Sequence, residues 1–305
     1  CSGDYDKACT FNQFGEDASG KTTVLGRSSI GPNESLKGIW QQSTPTYRNF
    51  RIGRSVLCTL LAIATWGGTT ACQQDENDLL IFAAASLTEV LQPLGEDFGI
   101  ANDLQVHFSF AGSTSLAQQV VRGAQPDLFF SSGPDPILKL NNLKLLTPNE
   151  TRDVLTNNLV LITNDKDGDE FDGMPDLLIG QINLLAIADP RLAPAGKYAR
   201  DLLRNLEVWD GIQQNLIYGQ DVRTVLAYVE SGNVDAGIVY QTDTTNRRSI
   251  KTYPLVGSNI QPEIVYPIAI LRSTENELMA TAFIEFLTSE LSQNIFREFG
   301  FIPLE

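Results

Sequence analysis

The most constraining feature of the sequence is a strand-to-helix junction that carries a serine, in the stretch LLIFAAASLTE at residues 79–89. Leu79 to Phe82 form a short apolar run without alternation, which predicts a strand buried on both faces of a sheet. After three alanines and Ser86, apolar residues recur every three or four positions, which predicts a helix. Ser86 is therefore either an N-cap or a residue whose hydroxyl faces a ligand beside the free N–H groups of the helix.

The same arrangement recurs along the chain. The alternating strand LQVHFSF (104–110) leads through Ala111 and Gly112 to Ser113 and a second helix, and further junctions lie near residues 195 and 222. Strands that alternate with helices predict an α/β fold with largely parallel sheets. Ligands of such sheets bind outside the carboxyl ends of the strands, and helix N-termini that meet there form an anion site without positive side chains.

The charge of the chain excludes one class of partner. Its 305 residues carry a net charge of −15, which argues against nucleic acid because phosphate binding needs a basic face. Residues 1–72 hold seven Lys and Arg and five Asp and Glu. The remaining residues hold 15 of the 22 basic and 32 of the 37 acidic side chains, a net charge of −17. An anion bound there must be held by local neutral dipoles.

Metal sites are disfavoured by the same composition. All four cysteines lie in the first 72 residues, and His107, within a predicted strand, is the only histidine, so zinc sites with nitrogen and sulfur ligands are nearly excluded. Asp165, Asp167 and Asp169 alternate like calcium ligands, but Glu170 occupies the position where an EF-hand needs glycine. We expect a solvated surface turn at residues 165–172.

The amino-terminal residues predict export. Residues 1–50 are polar and lack periodicity, which predicts a disordered or non-native extension. Residues 51–72 combine basic residues, a short apolar run and small residues, as in a signal peptide. The end of this segment resembles a bacterial lipoprotein cleavage site with Cys72 as the lipidated residue, although Thr69 stands where such sites usually have Leu. The mature protein is then expected to begin at Cys72.

Several segments in series resemble the molybdate-binding proteins of ABC importers. They cover about residues 79–302: FAAASLTEV, FAGSTSLAQQV, GAQPDLFFSS, IADPRLAPAGKYARDLL, DVRTVLAYVESGNVDAGIVYQTD, VYPIAIL and IFREFGF. The resemblance implies a two-lobed, type II periplasmic-binding-protein fold with the ligand in the interlobe cleft. It also implies an extracytoplasmic monomer that closes over molybdate or tungstate and delivers it to a membrane permease.

The resemblance also implies the ligand contacts. Ser86 and Ser113 correspond to hydroxyl donors, Ala195 and Val222 to backbone N–H donors, and Tyr240 to a third hydroxyl donor. No cofactor and no direct metal-ion ligand are implied.

The expected lobes are residues 79–157 with 264–305, and residues 158–263, joined by hinge crossings near 158 and 264. Two alternatives stay open: binding of another oxyanion such as sulfate or phosphate, and a serine hydrolase built on Ser86 or Ser113. The hydrolase lacks an evident base, because His107 lies in the middle of a predicted strand.

Overall fold

The computed structural model describes residues 78–164, 182–255 and 261–304. The strands are β1 (Leu79–Ala84), β2 (Val106–Ala111), β3 (Leu128–Phe130), β4 (Leu146–Asn157), β5 (Leu159–Asn164), β6 (Leu185–Ala188), β7 (Leu216–Gly219), β8 (Ala236–Tyr240), β9 (Ile250–Pro254), β10 (Ile264–Leu271) and β11 (Ile302–Pro303). The α-helices are α1 (Thr88–Asn102), α2 (Ser113–Val121), α3 (Pro134–Asn142), α4 (Pro194–Asn205), α5 (Trp209–Ile212), α6 (Val222–Glu230), α7 (Glu277–Leu287) and α8 (Glu290–Glu298). Short 3₁₀ turns occupy Ala85–Leu87, Gln213–Asn215 and Gln241–Thr244.

Three predictions lie outside the described residues: the amino-terminal extension, the signal segment that ends at Cys72, and the acidic turn at 165–172. Among the helices that are described, none is both long and apolar enough to cross a membrane.

The strands form two sheets with helices around them, which confirms the α/β class. The first sheet has the order β11-β4-β10-β3-β1-β2, and the second has the order β7-β6-β8-β5-β9. Strands of the first sheet come from residues 79–157 and 264–303, and those of the second come from residues 159–254. Each expected lobe therefore contains one sheet.

The expectation of largely parallel sheets is wrong, because both sheets are mixed. Among the described strands, β1 pairs in parallel with β2 and β3, and β6 pairs in parallel with β7 and β8. In contrast, β10 runs antiparallel to β3 and β4, and β5 runs antiparallel to β8 and β9. Antiparallel neighbours need no crossover helix, so the strands that carry the chain between the sheets can pair this way. The alternation of strands and helices in the sequence did not reveal β4, β9 or β11.

Helices cover both faces of the first sheet, as the apolar run of β1 predicts. Phe82 and Phe129 belong to a cluster with Leu116 of α2 and Ile137 of α3. The alternate residues of β1 belong to a second cluster, which includes residues of α1 and α7. The buried sheet fixes where β1, β2 and β3 end, and therefore where the following helices begin.

The carboxyl-terminal region contains two helices separated by a short break. Helix α7 ends at Leu287 and α8 begins at Glu290. Between them Ser289 acts as an N-cap, because its Oγ accepts a hydrogen bond from the backbone N–H of Ser292 at 3.4 Å.

Gly196, in the first turn of α4, allows this helix to lie against the end of β6. A Cβ atom at Gly196 would lie 2.0 Å from the carbonyl oxygen of Ala188, which is backbone and cannot turn aside. We expect Gly196→Ala to lower the free energy of unfolding by about 1–3 kcal/mol, because the helix must shift away from the strand. Urea unfolding measures this change.

Gly211→Ala in α5 is the matched control, since nothing lies within 4 Å of a Cβ atom there. It should leave stability unchanged or raise it slightly. Equal effects of the two substitutions would contradict the close packing of α4 on β6.

Candidate functional site

A small cavity lies where strand ends of both sheets meet. Its volume is about 10 Å³, which is room for about one water molecule. Residues at the ends of β1, β2 and β3 line it from the first sheet, and residues after β6, β7 and β8 line it from the second: Ala85, Ser86, Ala111, Gly112, Ser132, Ala193, Ala195, Asp221, Val222 and Tyr240. The cavity therefore lies at the carboxyl ends of the strands, which is where ligands of α/β sheets bind.

Four of the five predicted contact residues line this cavity. Ser86, Ala195, Val222 and Tyr240 are among the lining residues, whereas Ser113 is fully buried behind it. Ser113 is nevertheless linked to the cavity, because its Oγ accepts a hydrogen bond at 3.1 Å from the N–H of Ser132, a lining residue.

Ser86 lies in the 3₁₀ turn between β1 and α1, and the prediction that it is an N-cap is wrong. Leu87 is the N-cap of α1, and no side chain caps that helix. The Ser86 Oγ instead lies 3.1 Å from the hydroxyl oxygen of Tyr266. That hydroxyl also accepts a hydrogen bond at 3.2 Å from the amide nitrogen of Asn157, which can only donate. If Tyr266 donates its proton to Ser86, the Ser86 hydroxyl keeps its own proton free for a ligand in the cavity.

Backbone donors from the second sheet face the same point. Ala195 is the second residue of α4 and Val222 is the first residue of α6, so their N–H groups are among those that a helix leaves unpaired. The positive ends of both helix dipoles add to this effect. Within the part of the chain that the structure describes, no Lys or Arg lines the cavity.

Asp221 places one carboxylate in the lining. It is the N-cap of α6, and its Oδ1 accepts hydrogen bonds from the N–H and the hydroxyl of Thr224 at 2.9 and 3.0 Å. The capping bonds explain an acidic residue beside a set of donors, because they compensate part of its charge.

Tyr240 joins the two halves of the site. It is 1% exposed, and its hydroxyl donates a hydrogen bond at 3.2 Å to the carbonyl oxygen of Ser132. Burial raises the pKa of Tyr240 and of Tyr266 well above the ordinary value for tyrosine, so both hydroxyls keep their protons at neutral pH. A tyrosine has one hydroxyl proton, so Tyr240 must leave Ser132 before it can donate to a ligand.

Asp243 is a buried carboxyl behind Tyr240. Its Oδ2 accepts a hydrogen bond from the N–H of Tyr240 at 3.1 Å, while its Oδ1 has no partner. Burial raises the pKa of Asp243 to about 7, against the opposing charge of Arg223. The group is therefore largely neutral below pH 7, which limits its repulsion of an anion.

Sequence reasoning missed three residues of the site: Asn157, Ser132 and Tyr266. Ser132 follows β3 in the same way that Ser86 follows β1, so the rule of strand ends could have found it. Asn157 and Tyr266 lie within strands, and nothing in their local pattern marks them. Among the described residues, no three His, Cys, Asp or Glu side chains form a group that could hold a metal ion.

The chain is similar to proteins of one known family. The family of bacterial extracellular solute-binding proteins matches residues 79–302. The molybdate-binding protein ModA of Haemophilus influenzae is 34% identical over 80% of this chain and 96% of its own length. ModA of Escherichia coli is 31% identical over 79% of this chain and 94% of its own length.

A solved structure shows the same fold. The periplasmic molybdate-binding protein of Azotobacter vinelandii superposes with a TM-score of 0.67 at 22% identity, and the match covers 74% of this chain and all of that chain. The two-lobed fold expected from the sequence is thereby confirmed, and this chain belongs to the bacterial extracellular solute-binding protein family.

Proposed function

We propose that this protein captures molybdate or tungstate outside the cytoplasm and delivers it to the permease of an ABC importer. The observation that carries the proposal is the cavity between the two sheets, which gathers hydroxyl and backbone donors without a cationic side chain. Such a site suits a fully deprotonated oxyanion, whose oxygens only accept hydrogen bonds. The relatives named as molybdate-binding proteins support this choice of ligand.

The proposed contacts are the hydroxyls of Ser86, Ser113 and Tyr240 and the N–H groups of Ala195 and Val222. Each hydrogen bond to a charged group contributes about 1.5–3 kcal/mol. Several of them, less the cost of desolvating the ion, suffice for the −8 kcal/mol of a micromolar dissociation constant. Four oxygens around a central atom need more room than the cavity of about 10 Å³, so the lining must move apart for the ion to bind. The Tyr240 hydroxyl must also leave Ser132 if its single proton is to serve the ion.

A second candidate ligand is a protonated oxyanion such as hydrogen phosphate. Its O–H group needs an acceptor, and Asp221 places a carboxylate in the cavity lining. The capping bonds to Thr224 both end on Oδ1, so Oδ2 has capacity to accept. Sulfate is fully deprotonated, like molybdate, so only the difference in size between the two ions can make the site prefer one of them.

Catalysis has less support. His107 hydrogen-bonds to Asp78 at 3.3 Å and not to either serine, and its side chain is 49% exposed. The described residues therefore offer no histidine base for Ser86 or Ser113, and the relatives are named as binding proteins. Export and lipidation of Cys72 remain proposals, as does a monomeric state.

Closure of the lobes is part of the proposal. Glu89 at the start of α1 accepts hydrogen bonds from Arg223 of α6 and from Arg247, so one carboxylate of the first lobe pairs with two cations of the second. Burial alone would raise the pKa of Glu89, but the hydrogen bonds and charges of both arginines outweigh it and hold the pKa below its usual value. Lys197 and Asp135 form a second interlobe pair at 2.9 Å.

The ligand is tested by thermal unfolding with molybdate, tungstate, sulfate and phosphate. Molybdate and tungstate should raise the melting temperature, with a stabilisation of about 2.7 kcal/mol at 100 times the dissociation constant. Ser86→Ala should weaken the binding of both ions about tenfold or more, because it removes one donor to a charged group. A rise with sulfate or phosphate alone would contradict the molybdate assignment, and a rise with phosphate that disappears in Asp221→Asn would favour the protonated ligand.

Closure is tested with Glu89→Gln. Loss of the interlobe ion pairs should weaken molybdate binding about fivefold, equivalent to about 1 kcal/mol for a partly exposed network, and the loss should shrink at high salt. Calorimetric titration at two salt concentrations measures it. Asp201→Asn is the matched control, because its partner Arg200 lies on the same helix and the pair is about equally exposed. If the two variants lose the same affinity, Glu89 does not act through closure.

The buried carboxyl predicts a pH dependence of stability. Between about pH 4 and pH 7 the folded protein keeps a proton on Asp243 that the unfolded chain has lost, so Asp243 makes stability fall as pH rises through this window. Asp243→Asn should remove this fall and gain up to about 4 kcal/mol over the wild type above pH 7. Urea unfolding from pH 4.5 to 8.5 measures the effect, with exposed Asp210→Asn as control. A constant offset between Asp243→Asn and wild type would contradict the prediction.

A further inference from the structure

Ser132 lines the cavity but has no role in the proposed set of contacts. It follows β3, the neighbour of β1 in the sheet, so it lies at the same edge as Ser86. Its side chain is buried, with 4% of the residue exposed, among residues that line a cavity of about 10 Å³. Any ligand that enters this cavity must therefore come close to Ser132.

The backbone of Ser132 is fully engaged, whereas its hydroxyl is not. The N–H donates to the Ser113 Oγ at 3.1 Å, and the carbonyl oxygen accepts from the Tyr240 hydroxyl at 3.2 Å. The Ser132 Oγ has a single hydrogen-bond partner, the Ser113 Oγ, at the long distance of 3.4 Å. The hydroxyl can accept two hydrogen bonds and donate one, so most of its capacity is unused.

One of the two possible proton arrangements leaves the Ser132 hydroxyl free to donate. The Ser113 Oγ accepts from the Ser132 N–H, and if Ser113 donates its own proton to the Ser132 Oγ, the Ser132 proton is left for the cavity. The pair then matches Ser86 and Tyr266, where donation of the Tyr266 proton to Ser86 would likewise leave the Ser86 proton for the cavity. Hydroxyls in such chains polarise one another and become stronger donors.

We propose that the Ser132 hydroxyl donates a hydrogen bond directly to the bound oxyanion and is oriented for this by the Ser113 hydroxyl. In place of the direct contact proposed for its hydroxyl, Ser113 then acts through Ser132, because its single proton cannot serve both the ion and Ser132. The inference rests on the proposed function. It places the hydroxyl donor Ser132 after β3 beside the donor Ser86 after β1, with Ser113 after β2 orienting Ser132.

The test is the affinity of the full chain for molybdate and tungstate, measured by calorimetric titration of Ser132→Ala. The alanine keeps both backbone hydrogen bonds of Ser132, so the variant isolates the hydroxyl. We expect the dissociation constant to rise about 10- to 100-fold, the range for loss of a hydrogen bond to a charged group. The melting temperature without ligand should stay close to that of the wild type.

Ser292→Ala is the matched control. Ser292 is also a buried serine whose Oγ lies 3.4 Å from another serine hydroxyl, that of Ser289, and it does not line the cavity. Its affinity for molybdate should equal that of the wild type. If Ser132→Ala does not fold, Ser132→Cys, which keeps the shape but donates only weakly, carries the same expectation.

The outcomes separate this inference from the proposed function. If the wild type binds molybdate and Ser132→Ala binds within twofold of it, the Ser132 inference is overturned while the proposed function stands. If the wild type binds neither molybdate nor tungstate, the proposed function itself fails. A loss of affinity in Ser292→Ala as large as that in Ser132→Ala would also overturn the inference, because it would show a general effect of deleting buried serines.

Discussion

The structure of the site depends on parallel strand ends that aim neutral dipoles at one point. In the first sheet, β1 pairs in parallel with β2 and β3, so the carboxyl ends of all three strands lie on the same side of the sheet. In the second sheet, β6 does the same with β7 and β8. Hydroxyls and helix N-termini follow these ends directly. An anion can be held there without a cation because oriented donors replace its hydration shell.

The donors belong to two different sheets, and this couples binding to the arrangement of the lobes. Among the proposed donors, Ser86 and Ser132 follow strands of the first sheet. Ala195 and Val222 lie at the start of helices that follow strands of the second sheet, and Tyr240 is the last residue of β8 in that sheet. An ion that needs both groups favours the arrangement in which they meet. The hydrogen bond from Tyr240 to Ser132 already spans the two sheets, so under the proposed function a bound ion would compete with this bond for the Tyr240 proton. The ion pairs of Glu89 support the same arrangement from outside the cavity.

The sequence predicted the parts of this site that depend on local pattern. The strand-to-helix junctions at Ser86, Ala195 and Val222 are visible because apolar periodicity changes at each of them. The roles of Asn157 and Tyr266 could not be predicted, because they arise from an antiparallel pairing of β4 with β10, residues far apart in the chain. The same long-range pairing made the sheets mixed, which alternation of strands and helices does not reveal. The burial of Asp243 also depends on tertiary packing.

The acidic charge of the chain is compatible with an anion site, because the donors of the site act on the anion over much shorter distances than the surface charges do. At physiological ionic strength, charges on the surface are screened beyond about 8 Å, whereas donors that line the cavity contact the ion directly. Two carboxyls of this region have their charge reduced locally: Asp221, in the cavity lining, by its capping bonds to Thr224, and Asp243, behind Tyr240, by burial, which keeps it largely protonated below pH 7. Selectivity then follows from the balance of donors and acceptors. A lining rich in donors rejects a ligand that must donate, unless the free oxygen of Asp221 accepts its proton.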